Sequence, residues 1–206
     1  MNYQTEQESF WAGEFGEKYM LRNDLSSDFM AAKLALWGAV LRVCKGGIDS
    51  VLELGANVGG NLRAIHALLP SAALTDVEIN AVAAAALREW GVAEVIEGSL
   101  YESVPRRQWE FVFTSGVLIH LKPEMLPATY KIMEKSSSRY VCMAEYYNPI
   151  PVALEYRGHA ERLYKRDFAG EFLDACPDFV LRDYGFTYHR DMPGFDDINW
   201  FLMERR

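Results

Sequence analysis

Along the chain, short apolar runs alternate with stretches in which apolar residues recur every three to four positions. The runs are SVLEL (50–54), AALTDVEI (72–79), AEVIEG (93–98), EFVFTS (110–115) and RYVCMAE (139–145). Each has the length of a strand and is too short for a buried helix. Between them, NLRAIHALL is closed by Pro70, NAVAAAALREW is closed by Gly91, and a helical pattern runs near 124–135. Strand and helix in turn are the arithmetic of right-handed crossovers, which lay parallel strands side by side with helices on both faces. The pattern predicts an α/β fold with a doubly wound, mostly parallel sheet.

Ahead of that series, DLSSDF (24–29) reads as a helix start, and Met30, Leu34, Trp37 and Leu41 follow at helical intervals until Gly46 and Gly47 stop them. Beyond Glu145, YYNPIPVALEYRGHAERLYKRDFAGEFL turns rich in aromatics, charges and prolines and reads as an insertion over the carboxyl edge of the sheet. FVLRDYGF and NWFLME are two last strand candidates. The 206 residues, half of them hydrophobic, suffice for one domain with a core. Its expected parts are a lid and helix over 1–45, a core over 46–145, an insertion over 146–175 and a strand pair over 176–206.

A net charge of -8 and a pI near 5.1 argue against a nucleic-acid partner, which would require surplus Lys and Arg to displace condensed counterions. The opening MNYQTEQESFW is polar and acidic where a secretory signal would be basic and then apolar, and the uncharged run 111–121 is too short to cross a bilayer. A cytoplasmic protein without membrane contact is expected, as a monomer or homodimer. Cys44, Cys142 and Cys176 lack CxxC spacing and read as reduced packing residues. His66, His120, His159 and His189 show no ligand spacing, so no metal is expected.

The stretch VLELGANVGGNLRAI (51–65) places a glycine turn between the first strand and its helix, where ligands bind in open α/β sheets. Gly55 and Gly59 let the backbone approach a ligand, Ala56 lies between them, and Asn57 tolerates positive φ while adding an amide. Glu53, two positions before Gly55, would repel a pyrophosphate and welcome a protonated amine or a sulfonium. Glu78 closes the second strand where an acidic side chain grips both hydroxyls of a ribose. Asp76 is its rival; alternation turns both to one side, but only Glu78 is at the carboxyl end. Taken singly, each carboxylate also fits an ordinary surface residue.

These residues resemble the Rossmann-like S-adenosylmethionine-dependent methyltransferases, through ELGANVGG, VEIN, IEGSL and FVFTSGVLIHL in the order of that family's motifs. FWAGEFGEKYMLRN, EYYNPIPVALEYRGH, YKRDFAGEFL, DYGFTYHRD and DDINWFL further look like the methylase family associated with pseudaminic acid biosynthesis, a group linked to bacterial surface sugars. The resemblance implies S-adenosylmethionine as cofactor, S-adenosylhomocysteine as product, an antiparallel last strand and a small cap. It implies that Glu53, Gly55, Asn57 and Gly59 surround the aminoacyl and ribose part, with Glu78 on the ribose and Ile79 against the adenine. Ser99 and Leu100 would border the adenine edge, and the Thr114 backbone, with Ser115 beside it, would take the amino group. One departure stands out: Ser99 follows Gly98 where many such enzymes carry an acidic residue for the adenine amino group.

On the acceptor side, His120 is the candidate base, with a histidine that shapes its turn through a backbone carbonyl as the alternative. Tyr146, Tyr147 and Asn148 leave the fifth strand at the same rim, as an acceptor pocket with Tyr146 in a catalytic role or as loop packing. Arg157, His159, Arg162, Lys165 and Arg166 suggest an anionic acceptor, unless the interleaved Glu155, Glu161 and Asp167 merely pair with them. Phe10, Trp11, Phe15 and Tyr19 form either a lid or packing on the sheet's edge; as a lid, Tyr19 and Arg22 would reach the methionine carboxylate. His189, Arg190, Asp196 and Asp197 have no direction fixed by the sequence. The reading is a methyltransferase acting at oxygen or nitrogen of a small polar acceptor, a sugar or nucleotide-linked sugar. The alternatives are a cofactor-binding scaffold or regulator without turnover and a nicotinamide-dependent oxidoreductase.

Overall fold

A computed structural model describes residues 3–20, 25–192 and 196–206. Two short helices, α1 (Glu6–Ala12) and α2 (Glu14–Met20), precede the longer α3 (Ser27–Leu41). There follow β1 (Ser50–Leu54), α4 (Gly60–Leu68), β2 (Ala73–Glu78), α5 (Ala81–Trp90), β3 (Ala93–Glu97), a single turn α6 (Leu100–Ser103) and β4 (Trp109–Ser115). Then come α7 (Leu126–Ser136), β5 (Ser137–Glu145), the hairpin β6 (Val152–Tyr156) and β7 (His159–Lys165), α8 (Phe168–Ala175), β8 (Phe179–Thr187) and β9 (Ile198–Arg205).

Seven strands form one sheet in the order β3-β2-β1-β4-β5-β9-β8. Strands β1 to β5 pair in parallel, and β9 runs antiparallel to both β5 and β8. The expected doubly wound sheet with one antiparallel strand is therefore present. Strand order reverses between β1 and β4, so the loops beyond their carboxyl ends diverge and leave a crevice there.

Alternation along the strands builds two apolar layers. Val51, Phe111, Phe113, Tyr140, Cys142 and Leu202 pack under Trp37 of α3, Ile65 of α4 and Leu87 of α5. Their neighbours Leu52, Val112, Val141, Met143 and Met203 face Tyr130 and Met133 of α7 and Phe172 of α8. Helix α3 buries Ala32, Leu36, Trp37 and Val40, while the expected Met30, Leu34 and Leu41 pack only partly against that core. Its sequence is apolar nearly all round, so periodicity alone does not single out the buried face.

The segment after Glu145 contains a hairpin that the sequence pattern did not reveal. Arg157 and Gly158 have φ of 51° and 83°, the two left-handed residues a tight hairpin turn requires, with Tyr156 paired to His159 across it. The hairpin's exposed Val152 and Leu154 blur the alternation that marks a half-buried strand. Cys44, Cys142 and Cys176 are all free thiols. Among the described residues no helix is long and apolar enough to cross a membrane.

Two glycines separate packing at α2 from packing at α3. A Cβ on Gly16 would lie 1.9 Å from the Trp11 carbonyl oxygen, whereas one on Gly38 in α3 meets nothing within 4 Å. Gly38→Ala should raise unfolding free energy by about 0.5–1 kcal/mol through helix propensity and unfolded-state entropy. Gly16→Ala should cost about 1–3 kcal/mol because backbone must move. Denaturant titration of both variants checks the opposite signs.

Candidate functional site

The register of β1 and β2 brings three carboxylates together. Glu53 is the direct partner of Asp76 in the parallel ladder, and Glu78 lies two residues further on the same side of β2. All three project toward the layer of α3, α4 and α5. Glu53 and Asp76 are 0 % exposed and Glu78 is 6 % exposed.

Each carboxylate is held by a polar group of the turn above it. Asn61 Nδ2 donates to Glu53 Oε1 at 2.6 Å, while Asn61 Oδ1 accepts from Trp37 Nε1 at 3.1 Å. The Ala56 N–H donates to Asp76 Oδ1 at 3.1 Å. Glu78 accepts from the Asn57 N–H at 2.8 Å on one oxygen and from the Asn80 N–H at 2.7 Å on the other. Gly55 at φ 83°, Asn57 at 52° and Gly59 at 78° give the turn its left-handed bends, so Asn57 serves as its sequence suggested.

In the turn and the carboxylates beneath it, Glu53 Oε2, Asp76 Oδ2 and Asn57 Oδ1 have no hydrogen-bond partner among the described residues. Burial drives Asp76 well above the usual carboxylate range, with the charges of Glu78 and Glu53 adding to the shift. Burial likewise raises Glu53, against the Asn61 hydrogen bond and the Lys33 charge, and raises Glu78 against its backbone donors. Lys33 of α3 lies half-buried beside this group; desolvation lowers its pKa and the charge of Glu53 opposes that. Such a group favours a cationic ligand, because a positive charge relieves repulsion that solvent cannot reach.

Above the turn lies a cavity of about 270 Å³, bordered by Gly55, Ala56, Asn57, Glu78, Ile79, Leu100, Ser115, His120, Tyr146 and Tyr19. Glu53, Gly59, Ser99 and Thr114 stand behind its wall. Glu53 is there because strand parity turns it beneath α3 and α4. Asp76 is also behind the wall, tying the turn from below, so Glu78 is the carboxylate of β2 that faces the cavity.

Helices α1 and α2 close the cavity from above. Thr5 and Glu8 form a capping box, and the second oxygen of Glu8 accepts the Ser99 hydroxyl. Asn80 Nδ2 donates to the Trp11 carbonyl at 3.0 Å. The Trp11 ring lies 4.6 Å from His120 and 5.2 Å from Tyr19, and Phe10 stacks on Phe15 at 4.1 Å. His159 packs against Phe10 and Phe15, and Tyr156 against Trp11 and Phe15. The aromatics thus cover the crevice and meet the hairpin instead of lining the sheet's edge. Arg22 lies outside the described residues.

The turn after β4 is fixed by Glu145 at the end of β5. Its carboxylate accepts from the Val117, Leu118 and Ile119 N–H groups, and burial raises it to about 7. His120 follows in the same turn, and its Nδ1 lies 2.7 Å from the Arg162 carbonyl. A carbonyl can only accept a hydrogen bond, so Nδ1 carries the ring's hydrogen and Nε2 is left unprotonated. Burial lowers the ring to about 4, so it is neutral at physiological pH. The structural and the chemical roles open to His120 are therefore compatible.

The remaining acceptor-side residues divide. The Tyr146 hydroxyl donates to Asp196, which also borders the cavity, and burial with that carboxylate holds the phenol protonated. Tyr146 is thus a donor at neutral pH and not a proton acceptor. Tyr147, Asn148, Arg157, His159 and Arg166 do not border the cavity. Arg166 pairs with Glu171 at 2.8 Å, Arg162 with Glu6 at 3.5 Å, and Arg157 sits over the Tyr156 ring. His189 pairs with Asp197 at 2.8 Å. The locally basic segment consequently supplies no cationic wall, and the cavity's own carboxylates Glu8, Glu78, Glu145 and Asp196 run against an anionic acceptor. Sequence reasoning passed over Gln7, Glu8, Lys33, Asn61, Asn80 and Glu145. Glu145 ends a strand as Glu78 does, and TEQE at 5–8 has capping-box spacing; Lys33 and Gln7 carry no local signal.

No protein-family model matches the chain, and no curated protein matches it in sequence. The magnesium protoporphyrin IX methyltransferase of Synechocystis PCC 6803, solved with bound S-adenosylmethionine, is similar with a TM-score of 0.70 at 13% identity, covering 100% of both chains. The 1,6-didemethyltoxoflavin-N1-methyltransferase of Burkholderia thailandensis, solved with 1,6-didemethyltoxoflavin and S-adenosylhomocysteine, gives 0.66 at 15% identity over 94% of this chain and 91% of that one. The plantazolicin methyltransferase BpumL, in complex with S-adenosylhomocysteine, gives 0.67 at 12% identity over 97% and 94%. None of these points to the pseudaminic acid-associated methylases. At such identities the likeness establishes architecture: the chain has the Rossmann-like fold of S-adenosylmethionine-dependent methyltransferases.

Proposed function

We propose that the protein is an S-adenosylmethionine-dependent methyltransferase acting at oxygen or nitrogen of a small polar acceptor. The observation that carries this reading is the buried carboxylate group beneath the Gly55–Gly59 turn, with open oxygens on Glu53 and Asp76. A diphosphate would be repelled there, which disfavours a nicotinamide dinucleotide, whereas an ammonium and a sulfonium would be welcomed.

The residues present fit that cofactor. Each oxygen of Glu78 uses one lone pair for a backbone donor and keeps another for a ribose hydroxyl. Ile79 and Leu100 offer apolar surface to the base. Gly55, Ala56 and Asn57 supply close backbone, and Lys33 and Tyr19 on the cavity wall suit a carboxylate. When bound, the cofactor supplies a methyl group activated by its sulfonium for in-line displacement.

The chain's own part is to hold the acceptor, exclude water and take its proton. His120 presents a neutral ring whose tautomer is set by the Arg162 carbonyl, so Nε2 orients an O–H or N–H and receives its proton. Trp11 and Tyr156 flank that ring and exclude water. Tyr146 and Asp196 form the opposite polar rim. An aromatic wall with a few polar groups suits a sugar ring, so the acceptor in this reading is a sugar or nucleotide-linked sugar.

Calorimetry with S-adenosylhomocysteine tests the cofactor site. The wild-type chain should bind, and Glu78→Ala should lose about 1.5–3 kcal/mol, the worth of charged hydrogen bonds. Absence of binding to folded wild-type protein would overturn the reading, and unchanged affinity in the variant would move the ribose elsewhere. Labelled cofactor and a mass-spectrometric screen of activated sugars and glycans should identify the acceptor by its methyl increment. With that acceptor, His120→Asn keeps a donor for the Arg162 carbonyl but removes Nε2; kcat should fall about 100-fold while S-adenosylhomocysteine affinity stays within about twofold.

A further inference from the structure

Gln7 is a polar residue of the cavity that neither the fold nor the mechanism above accounts for. It lies on α1, is 2 % exposed and borders the cavity. Neither its Nε2 nor its Oε1 has a hydrogen-bond partner among the described residues. A buried carboxamide with both ends open costs stability unless something completes it. The next residue, Glu8, is anchored: one oxygen takes the Ser99 hydroxyl after β3, and the other takes the Thr5 and Gln4 N–H groups. Trp11, one helical turn beyond Gln7, is tied through its carbonyl to Asn80 after β2. Helix α1 therefore lies across the ends of β2 and β3, and Gln7 enters the cavity between those two anchors.

That side of the cavity is bordered by Ile79, Gly98 and Leu100. The sequence there has Ser99 and no carboxylate of its own, and Ser99 is engaged by Glu8. A carboxamide presents an acceptor and a donor side by side. Adenine presents the complement: an amino group that donates beside a ring nitrogen that accepts, a pairing Gln makes with adenine wherever both can lie in one plane. Hypoxanthine, with a carbonyl in place of the amino group, presents two acceptors on the N7 edge, of which a carboxamide can pair only one.

We propose that Gln7 is the base-reading residue of the cofactor site: its carboxamide pairs with the amino group and N7 of adenine, and α1 supplies from the lid the recognition that the β3 turn lacks. This rests on the cofactor reading given above. It makes base selection conditional on lid docking, because Gln7 reaches the cavity only while Glu8 holds Ser99 and Asn80 holds Trp11.

The test uses the full chain and Gln7→Met, which keeps side-chain volume and removes both polar atoms. S-adenosylhomocysteine and S-inosylhomocysteine are titrated into each by calorimetry, and thermal unfolding of each free protein is recorded. The wild type should prefer the adenine ligand by about tenfold or more. Gln7→Met should bind it about tenfold more weakly, should bind the two ligands within about threefold of each other, and should melt higher than wild type when free. A variant that keeps both the affinity and the preference overturns the assignment, as does one that changes only the KM of the acceptor. A lower melting temperature would make Gln7 a structural residue and overturn it too. If the wild type binds neither ligand, the cofactor reading itself fails, which separates the two outcomes.

Discussion

Glu53 and Asp76 stand opposite one another in the β1–β2 ladder, with Glu78 one pleat further, and none of the three reaches bulk water. Like charges so placed raise one another's proton affinity, and desolvation raises it further. The fold tolerates them because each is held by one element of the site. Asn61 at the start of α4 holds Glu53, the Ala56 N–H holds Asp76, and the Asn57 and Asn80 N–H groups hold Glu78. The same bonds that satisfy the carboxylates shape the turn. The geometry of the crevice and its electrostatic preference thus have one origin.

The lid obeys a similar economy. The carboxylate that caps α1 also accepts the Ser99 hydroxyl, and the backbone of Trp11 accepts from the same Asn80 whose side chain caps α5. The Trp11 ring then reaches His120, and Phe10 and Phe15 reach His159 on the hairpin. The two ends of the crevice are joined over the top by α1 and α2, seven residues each. Access to the crevice and the completeness of its wall therefore depend on the same contacts.

Much of the fold was legible because the strands of a sheet covered on both faces read as continuous apolar runs, and the glycine turn, Glu78 and Asn57 followed from strand ends and positive φ. The direction of Glu53 was not followed through: parity with Val51 sends it beneath α3 and α4, so it acts from behind the wall. The hairpin β6–β7 escaped notice because its turn is Arg157-Gly158 and its strands carry charges on an exposed face. The basic segment looked like an anion site because sequence shows charge without its partners; Glu171, Glu6 and the Tyr156 ring occupy those cations. Gln7 and Lys33 could not have been found locally, since each meets the cavity only through helix docking.

The central claim is that a buried negative group selects a positively charged nucleoside, and its signature is a sign in pH. Where folded-state carboxylate pKa values are raised, a cation binds the ionised form, so its affinity grows as pH rises toward them. The direct measurement is calorimetric affinity for S-adenosylmethionine and for NAD at about pH 5.5 and about pH 7.5, below the titration of the ligand's own ammonium at about 7.7–8. The account predicts tighter S-adenosylmethionine binding at the higher pH and no detectable binding of NAD at either. Affinity that is flat or falls with pH, or a dinucleotide that binds where the sulfonium does not, would contradict it.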